Sequence, residues 1–124
     1  MIEFVVPGRP VPKARPRTSR AGRTMHIYTP RETAQYEKLV GYAALDAAKG
    51  RSFFKEIAIS IRLFFKDRKF GDLDNYTKSI LDGLQGVVFE NDRQVCRLTV
   101  ERHQDKEERA EVKVWAVEEV EKGA

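Results

Sequence analysis

The sequence predicts an α+β fold: one domain over residues 1–124, with a mixed or mostly antiparallel sheet and two main helices packed largely on one face. Three observations predict it. Strand and helix periodicities follow one another in the order strand, loop, helix, strand, helix, strand, strand, with no internal repeat. The 124 residues are enough for one real core and too few for two. A composition of 41% hydrophobic and 34% charged residues belongs to a globular chain with a heavily charged surface, not to a disordered one.

Each element has a local reason. IEFVVPG reads as a short first strand halted by Pro7 and Gly8. The stretch that follows, RPVPKARPRTSRAGRT, carries three prolines and a glycine, so residues 7–25 are expected as an extended basic loop, closed by a brief strand around His26 to Tyr28. A first helix has a full start signal: Thr29 as N-cap, Pro30 at the first helical position and Glu32 completing a capping box. Its apolar positions Tyr36, Leu39, Val40, Ala43, Ala44 and Ala47 keep helical spacing up to Gly50. EIAISIRLFFK then places Ile57, Ile59, Ile61 and Leu63 on one face of a strand. The second helix presents Tyr76, Ile80, Leu81 and Leu84 for burial and ends at Gly86. QVCRLTVERHQ and AEVKVWAVE read as two strands joined by DKEER, most simply an antiparallel hairpin, with Val112, Val114 and Trp115 in the core.

Several function classes are excluded or made less attractive. No run approaches the roughly 20 apolar residues of a membrane span, and MIEFVVPGRP lacks a signal-peptide core, so a cytoplasmic protein is expected. One cysteine, Cys96, and two distant histidines, His26 and His103, make neither an intrachain disulfide nor a zinc pattern. Any metal would be held by oxygen. The net charge of +4 is unevenly spread. Seven Lys or Arg and no Asp or Glu stand between Arg9 and Arg31, whereas Glu101 to Glu121 holds eight acidic and four basic residues. The basic run has two readings, a contact for a polyanion such as nucleic acid and a solvated loop that only aids solubility.

The second helix opens with GDLDNYTKSILD. Asp74 is well placed as an N-cap, which accounts for one carboxylate. If Asp72 and Asp74 lie in an extended lead-in, they project from one side while Leu73 points to the core. Two adjacent like charges repel unless a cation or a hydrogen-bond network absorbs them. Asp74, Lys78 and Asp82 are spaced four apart, which also fits a plain ion-pair ladder. In FENDRQV, Asn91 and Asp92 sit at a turn. If that turn returns beside the helix start, Asp92 joins the pair. Three carboxylates without cysteine or histidine suit Mg2+, with Mn2+ as an alternative, and such a site serves phosphodiester hydrolysis with Lys78 near the phosphate.

The segment GDLDNYTKSILDGLQGVVFENDRQV, together with PGRPVPKARPRTSR and YTPRETAQYE, resembles the RusA-type Holliday-junction resolvases, metal-dependent endonucleases found widely in phages and prophages. The shared pattern is an aspartate pair before asparagine, a lysine four residues on, a further aspartate and leucine, then glycine and an acidic turn before Gln-Val. The resemblance implies that Asp72, Asp74 and Asp92 bind catalytic Mg2+, that Lys78 assists at the phosphate, and that a homodimer makes paired symmetric nicks in a four-way junction during DNA recombination and repair. Asp82 matches a recurrent family position and also fits the helix ladder. Asn91 departs from the pattern, since many relatives carry two consecutive acidic residues there; its side chain offers a neutral oxygen in place of a charge. Lys13, Arg15, Arg17, Arg20 and Arg23 are the expected phosphate contacts. Two other readings of the same residues are a junction-binding protein with a disabled metal site and a small structural protein whose carboxylates are only caps and ion pairs.

Overall fold

The computed structural model describes residues 1–14, 17–21, 24–28 and 31–120, with the backbone path alone for 17–21, 24–28 and 119–120. The elements in chain order are β1 (Ile2–Pro7), β2 (Arg17–Ala21), β3 (Thr24–Tyr28), α1 (Arg31–Ala48), β4 (Ile57–Phe65), α2 (Leu73–Leu84), a single 3-10 turn (Asp92–Gln94), β5 (Val95–Gln104), β6 (Arg109–Ala116) and a last short helix α3 (Val117–Val120).

The run IAISIRLFF decides the architecture. Ile57, Ile59, Ile61, Leu63 and Phe65 are fully buried on one face of β4, and Ala58 and Phe64 are buried on the other. A strand buried this heavily, with only Ser60 and Arg62 on the outer face partly exposed, belongs in the interior of a sheet with a neighbour on each edge. β4 accordingly pairs in parallel with β5 and antiparallel with β6, and the four-stranded sheet runs β1-β6-β4-β5. The sheet is mixed and the domain α+β, as the sequence predicts.

Both long helices cover the same face. Tyr36, Val40, Ala44 and Ala48 of α1 and Tyr76, Ile80 and Leu84 of α2 share one core with Ile2, Phe4 and Val6 of β1, the inward row of β4, and Ala110, Val112 and Val114 of β6. The helices approach closely where Gly41 and Gly83 meet. A Cβ at Gly83 would stand 2.7 Å from the Glu37 carbonyl oxygen and 2.8 Å from Val40 Cβ. Glycine there lets α2 sit against α1, and so sets where the Asp72 end of α2 is held.

The structure corrects three expectations. β5 and β6 do not form a hairpin, because β4 lies between them. The β4–α2–β5 crossover takes one edge of β4, and β6 must take the other. Trp115 is half-buried on the face opposite Val112 and Val114 rather than in the core. Within the stretch expected as an irregular basic loop, β2 and β3 pair antiparallel from Arg17↔Tyr28 to Ala21↔Thr24. Proline spacing obscured this, since Pro10, Pro12 and Pro16 all precede the first paired residue. The predicted cap residues Thr29 and Pro30 lie outside the described residues.

A strap over residues 9–14 ties the amino-terminal strand to both helices. The Ser79 hydroxyl is 2.7 Å from the Val11 carbonyl oxygen, the Lys13 N–H donates to the Asn75 carbonyl at 2.7 Å, and the Thr33 hydroxyl donates to the Pro12 carbonyl at 3.0 Å. The strap thus runs past the first turn of α2 at Lys13 and reaches the first turn of α1 at Ala14, whose N–H donates to the Thr33 hydroxyl at 3.3 Å.

Candidate functional site

Asp72, not Asp74, occupies the N-cap of α2, with φ −73° and ψ 140°. Its side chain makes no capping hydrogen bond; the Asn75 N–H donates instead to the Asp72 backbone carbonyl at 3.1 Å. An aspartate at an N-cap normally gives its carboxylate to the free N–H groups of the first turn, so Asp72 departs from the usual arrangement. Asp74 is already helical, and the shared extended lead-in expected for the pair covers Asp72 alone. Both aspartates are exposed, and neither forms an ion pair among the described residues. Leu73 between them packs against the core, as expected.

The approach to this pair is fixed from beneath. The Gly71 N–H donates to the hydroxyl of buried Tyr76 at 2.9 Å, and the Tyr76 ring meets Phe65 edge-on at 5.1 Å. Thr77 donates back to the Leu73 carbonyl at 2.9 Å. Sequence reading assigned Tyr76 to the core and missed its hydroxyl; its place four residues after Asp72 is the only signal for that contact.

Lys78 and Asp82 form half of the expected ladder. Lys78 Nζ lies 3.0 Å from Asp82 Oδ1, whereas no ion pair joins Lys78 to Asp74. Asp82 Oδ2 accepts from Lys13 Nζ at 3.1 Å, and the same ammonium lies 2.7 Å from Glu37 Oε1. Lys13, expected at DNA phosphates, is thus engaged by two carboxylates and joins the strap to both helices. The Glu37 hydrogen bond holds its pKa above the ordinary lysine value, with burial opposing and Asp82 adding to the rise. Arg17 and Arg20 fall in β2, and Arg15 and Arg23 lie outside the described residues.

Asp92 opens the 3-10 turn after Gly86, whose φ of +83° suits glycine in the bend that follows α2. Asn91 and Gln94 form a capping box across this turn. Asn91 Oδ1 accepts from the Arg93 N–H at 2.9 Å, and the Gln94 side-chain oxygen accepts from the Asn91 N–H at 3.1 Å. Gln94 also donates to the carbonyls of Phe53 at 2.8 Å and Lys55 at 3.1 Å. Asn91, expected as a supporting oxygen ligand, is used instead to hold the backbone that carries Asp92. Gln94 was not singled out from sequence, although N-x-x-Q is the signature of such a box. With the turn so pinned, Asp92 Oδ1 is buried and has no hydrogen-bond partner among the described residues.

The three aspartates are not brought together within one copy. Asp72 and Asp74 stand at the start of α2 and Asp92 lies beyond its end, so the 12-residue helix separates them by about 18 Å at 1.5 Å per residue. Among the described residues no three His, Cys, Asp or Glu side chains gather closely enough to hold a metal ion. Asp74 and Lys78 instead overhang a groove of about 410 Å³ between α2 and β5, floored by Leu73, Leu81, Leu98 and Val100. The parallel pairing of β4 with β5 causes this separation, since α2 must run the length of the sheet to return the chain to the start of β5.

A family model for the endodeoxyribonuclease RusA matches residues 7–115, most of the chain and all of these aspartates. The chain belongs to the RusA endodeoxyribonuclease family. It is also 27% identical over 137 residues to the uncharacterized protein YqaN of Bacillus subtilis (strain 168), across 94% of this chain and 96% of that protein. Membership of the RusA family supports nuclease activity on branched DNA, and no helix among the described residues is long and apolar enough to cross a membrane.

Proposed function

We propose that this RusA-family chain is a Mg2+-dependent endonuclease that nicks four-way DNA junctions, and that each of its metal sites is completed by two copies of the chain. The observation that carries this reading is the state of the carboxylates: Asp72 holds an N-cap position without capping, and Asp92 Oδ1 is buried without a partner, one helix length away. The donor set suits a hard cation, and an orphaned buried oxygen fits a missing ligand contact. In a single copy the donors stand too far apart to share an ion. A two-fold dimer that sets the start of α2 in one protomer against the 3-10 turn of the other would assemble two equivalent sites, one for each of two symmetric strands.

In that arrangement Asp72 and Asp74 of one protomer and Asp92 of its partner would hold the cation, with Mn2+ as an alternative to Mg2+. When bound, the cation supplies charge stabilisation at the scissile phosphate. The chain's own residues do the rest. Lys78, half-exposed beside the groove and paired with Asp82, would meet charge developing on a phosphate oxygen. Asn91 and Gln94 keep the turn rigid, so that Asp92 is presented without backbone rearrangement. Resolution of junctions places the activity in DNA recombination and repair, with a cytoplasmic location.

The test uses a labelled, movable four-way junction with Mg2+ or EDTA, and the Asp74→Asn and Asp92→Asn variants alone and mixed. Paired symmetric nicks by the unmutated chain with Mg2+, and none by either variant alone, are expected. Mixing the two inactive variants should restore single nicks, because a mixed dimer has one site with both aspartates intact and one with neither. Restoration absent under conditions of subunit exchange would overturn the shared site. Binding without metal-dependent cleavage would favour the disabled-site reading, and neither binding nor cleavage would leave a small structural domain.

A further inference from the structure

Beyond the groove between α2 and β5, the same face of β5 continues into a second cavity of about 410 Å³, lined by Asp67, Arg68, Phe70, Arg102, His103 and Gln104. Strand alternation puts Leu98, Val100 and Arg102 in one row, so the row passes from the groove floor below Asp74 to this cavity. Phe70 lies two residues before Asp72, which places the cavity beside the aspartate pair rather than beside Asp92.

The charges of the cavity are unequally engaged. Asp67 accepts from the Lys69 N–H at 2.8 Å and pairs with Arg9 at 3.2 Å. Its pKa is lowered, first by that backbone hydrogen bond and, against some opposing burial, by Arg9. Arg68 and Arg102 have no carboxylate partner among the described residues. Arg102 Cζ sits 4.0 Å from the centroid of the Phe70 ring, and that ring leans on Phe65 at 5.5 Å. A guanidinium seated over an anchored ring loses much of its rotational freedom, and with no carboxylate partner among the described residues its N–H fork stays available. Bidentate recognition of a phosphate needs such a group.

Resting on the nuclease reading above, we infer that Arg102, seated on Phe70 and assisted by Arg68, binds a backbone phosphate of the DNA strand that runs to Asp72 and Asp74. Arg102 is a substrate-contact residue in this assignment and Phe70 a positioning residue that acts through it. The phosphate contact carries no sequence information; it sets the register of the strand against the aspartates.

The experiment is junction binding by fluorescence anisotropy in EDTA, from 50 to 200 mM salt, for the unmutated chain, Arg102→Ala, Arg102→Lys and Phe70→Leu, with thermal melts as folding controls. Loss of one phosphate contact lowers the slope of log affinity against log salt by about 0.9. Both protomers of the two-fold dimer carry the substitution, so Arg102→Ala should lower the slope by about 1.8 and lose about 12-fold less affinity than the unmutated chain across this four-fold salt range. Arg102→Lys should restore the slope, since it keeps the charge, but not the full affinity, since it cannot form the fork. Phe70→Leu should weaken binding with the slope retained. An unchanged slope for Arg102→Ala, beside normal junction binding, overturns this assignment and leaves the nuclease reading standing. No junction binding by the unmutated chain overturns both.

Discussion

Gly83→Ala is the sharpest test of how the domain holds its aspartates. The added Cβ would meet Glu37 O at 2.7 Å and Val40 Cβ at 2.8 Å. One obstacle is backbone and the other is fixed to it, so neither can rotate away, and α1 and α2 must part by several tenths of an ångström. Overpacking costs about 1–3 kcal/mol; two fixed atoms under 3.0 Å put this site in the upper part of that range, about 2–3 kcal/mol, and the helix-propensity gain of alanine over glycine returns about 1 kcal/mol. A net loss of about 1–2 kcal/mol corresponds, for a domain of this size, to a midpoint lower by about 4–8 °C. Gly41→Ala, whose Cβ would stand 3.2 Å from the Gly83 carbonyl oxygen, should cost less. Thermal unfolding followed by circular dichroism reads both. A Gly83→Ala protein as stable as the unmutated one would refute the close helix contact, and with it the account of how α2 is positioned.

Three further outcomes follow from the same contacts. Tyr76→Phe removes the acceptor of the Gly71 N–H and should cost about 0.5–1.5 kcal/mol, with amide exchange at Gly71 and Asp72 faster than in the unmutated chain; unchanged exchange would show that the bond does not hold the aspartate loop. Asp92→Ala removes a buried oxygen without a partner, so in EDTA it should raise stability by about 1 kcal/mol while abolishing junction cleavage, and a variant less stable in EDTA would contradict the orphan. Lys13 has a folded pKa above its ordinary value of 10.5, so its contribution is fully present below 10.5 and is lost as pH climbs through the folded pKa. Denaturant titrations should therefore give a stability gap between the unmutated chain and Lys13→Met that is level from pH 7 to about pH 10 and closes above it; a gap that closed near neutrality would show that Lys13 is not held as a charged group.

Much of the fold is legible in the sequence because its signals are local. The 3.6-residue spacing of Tyr36, Val40 and Ala44 and the period-2 row from Ile57 to Leu63 each reflect one buried face. Strand order is not local. The run IAISIRLFF, apolar along one face and at both ends of the other, is the hint that β4 lies between the last two strands, and Ser60 and Arg62 in the middle of that second face disguise it as simple alternation. The carboxylates show the same division. GDLDN announces two acids at a helix start, and among the described residues neither is taken up by a side-chain cap or an ion pair. The distance to Asp92 follows from the direction of α2 relative to the sheet, which depends on the parallel pairing of β4 and β5 rather than on any motif.

Partnering separates the charged groups that hold this domain from those left for something else. Lys13, Asp82 and Glu37 were legible as a basic contact, a family position and a helix residue, and the structure spends all three on one another, tying the strap to α1 and α2. An exposed unpaired charge elsewhere on the surface means little, since water satisfies it. Asp72 and Asp92 differ from such a charge: Asp72 holds an N-cap position without giving its carboxylate to the helix, and Asp92 has an oxygen that water does not reach and no described donor meets. Both departures weaken the isolated chain, and both would be relieved by one event, the approach of a second protomer with a cation between them. Folding and assembly of the site are then coupled, and the chain should gain thermal stability from Mg2+ only under conditions in which it dimerises.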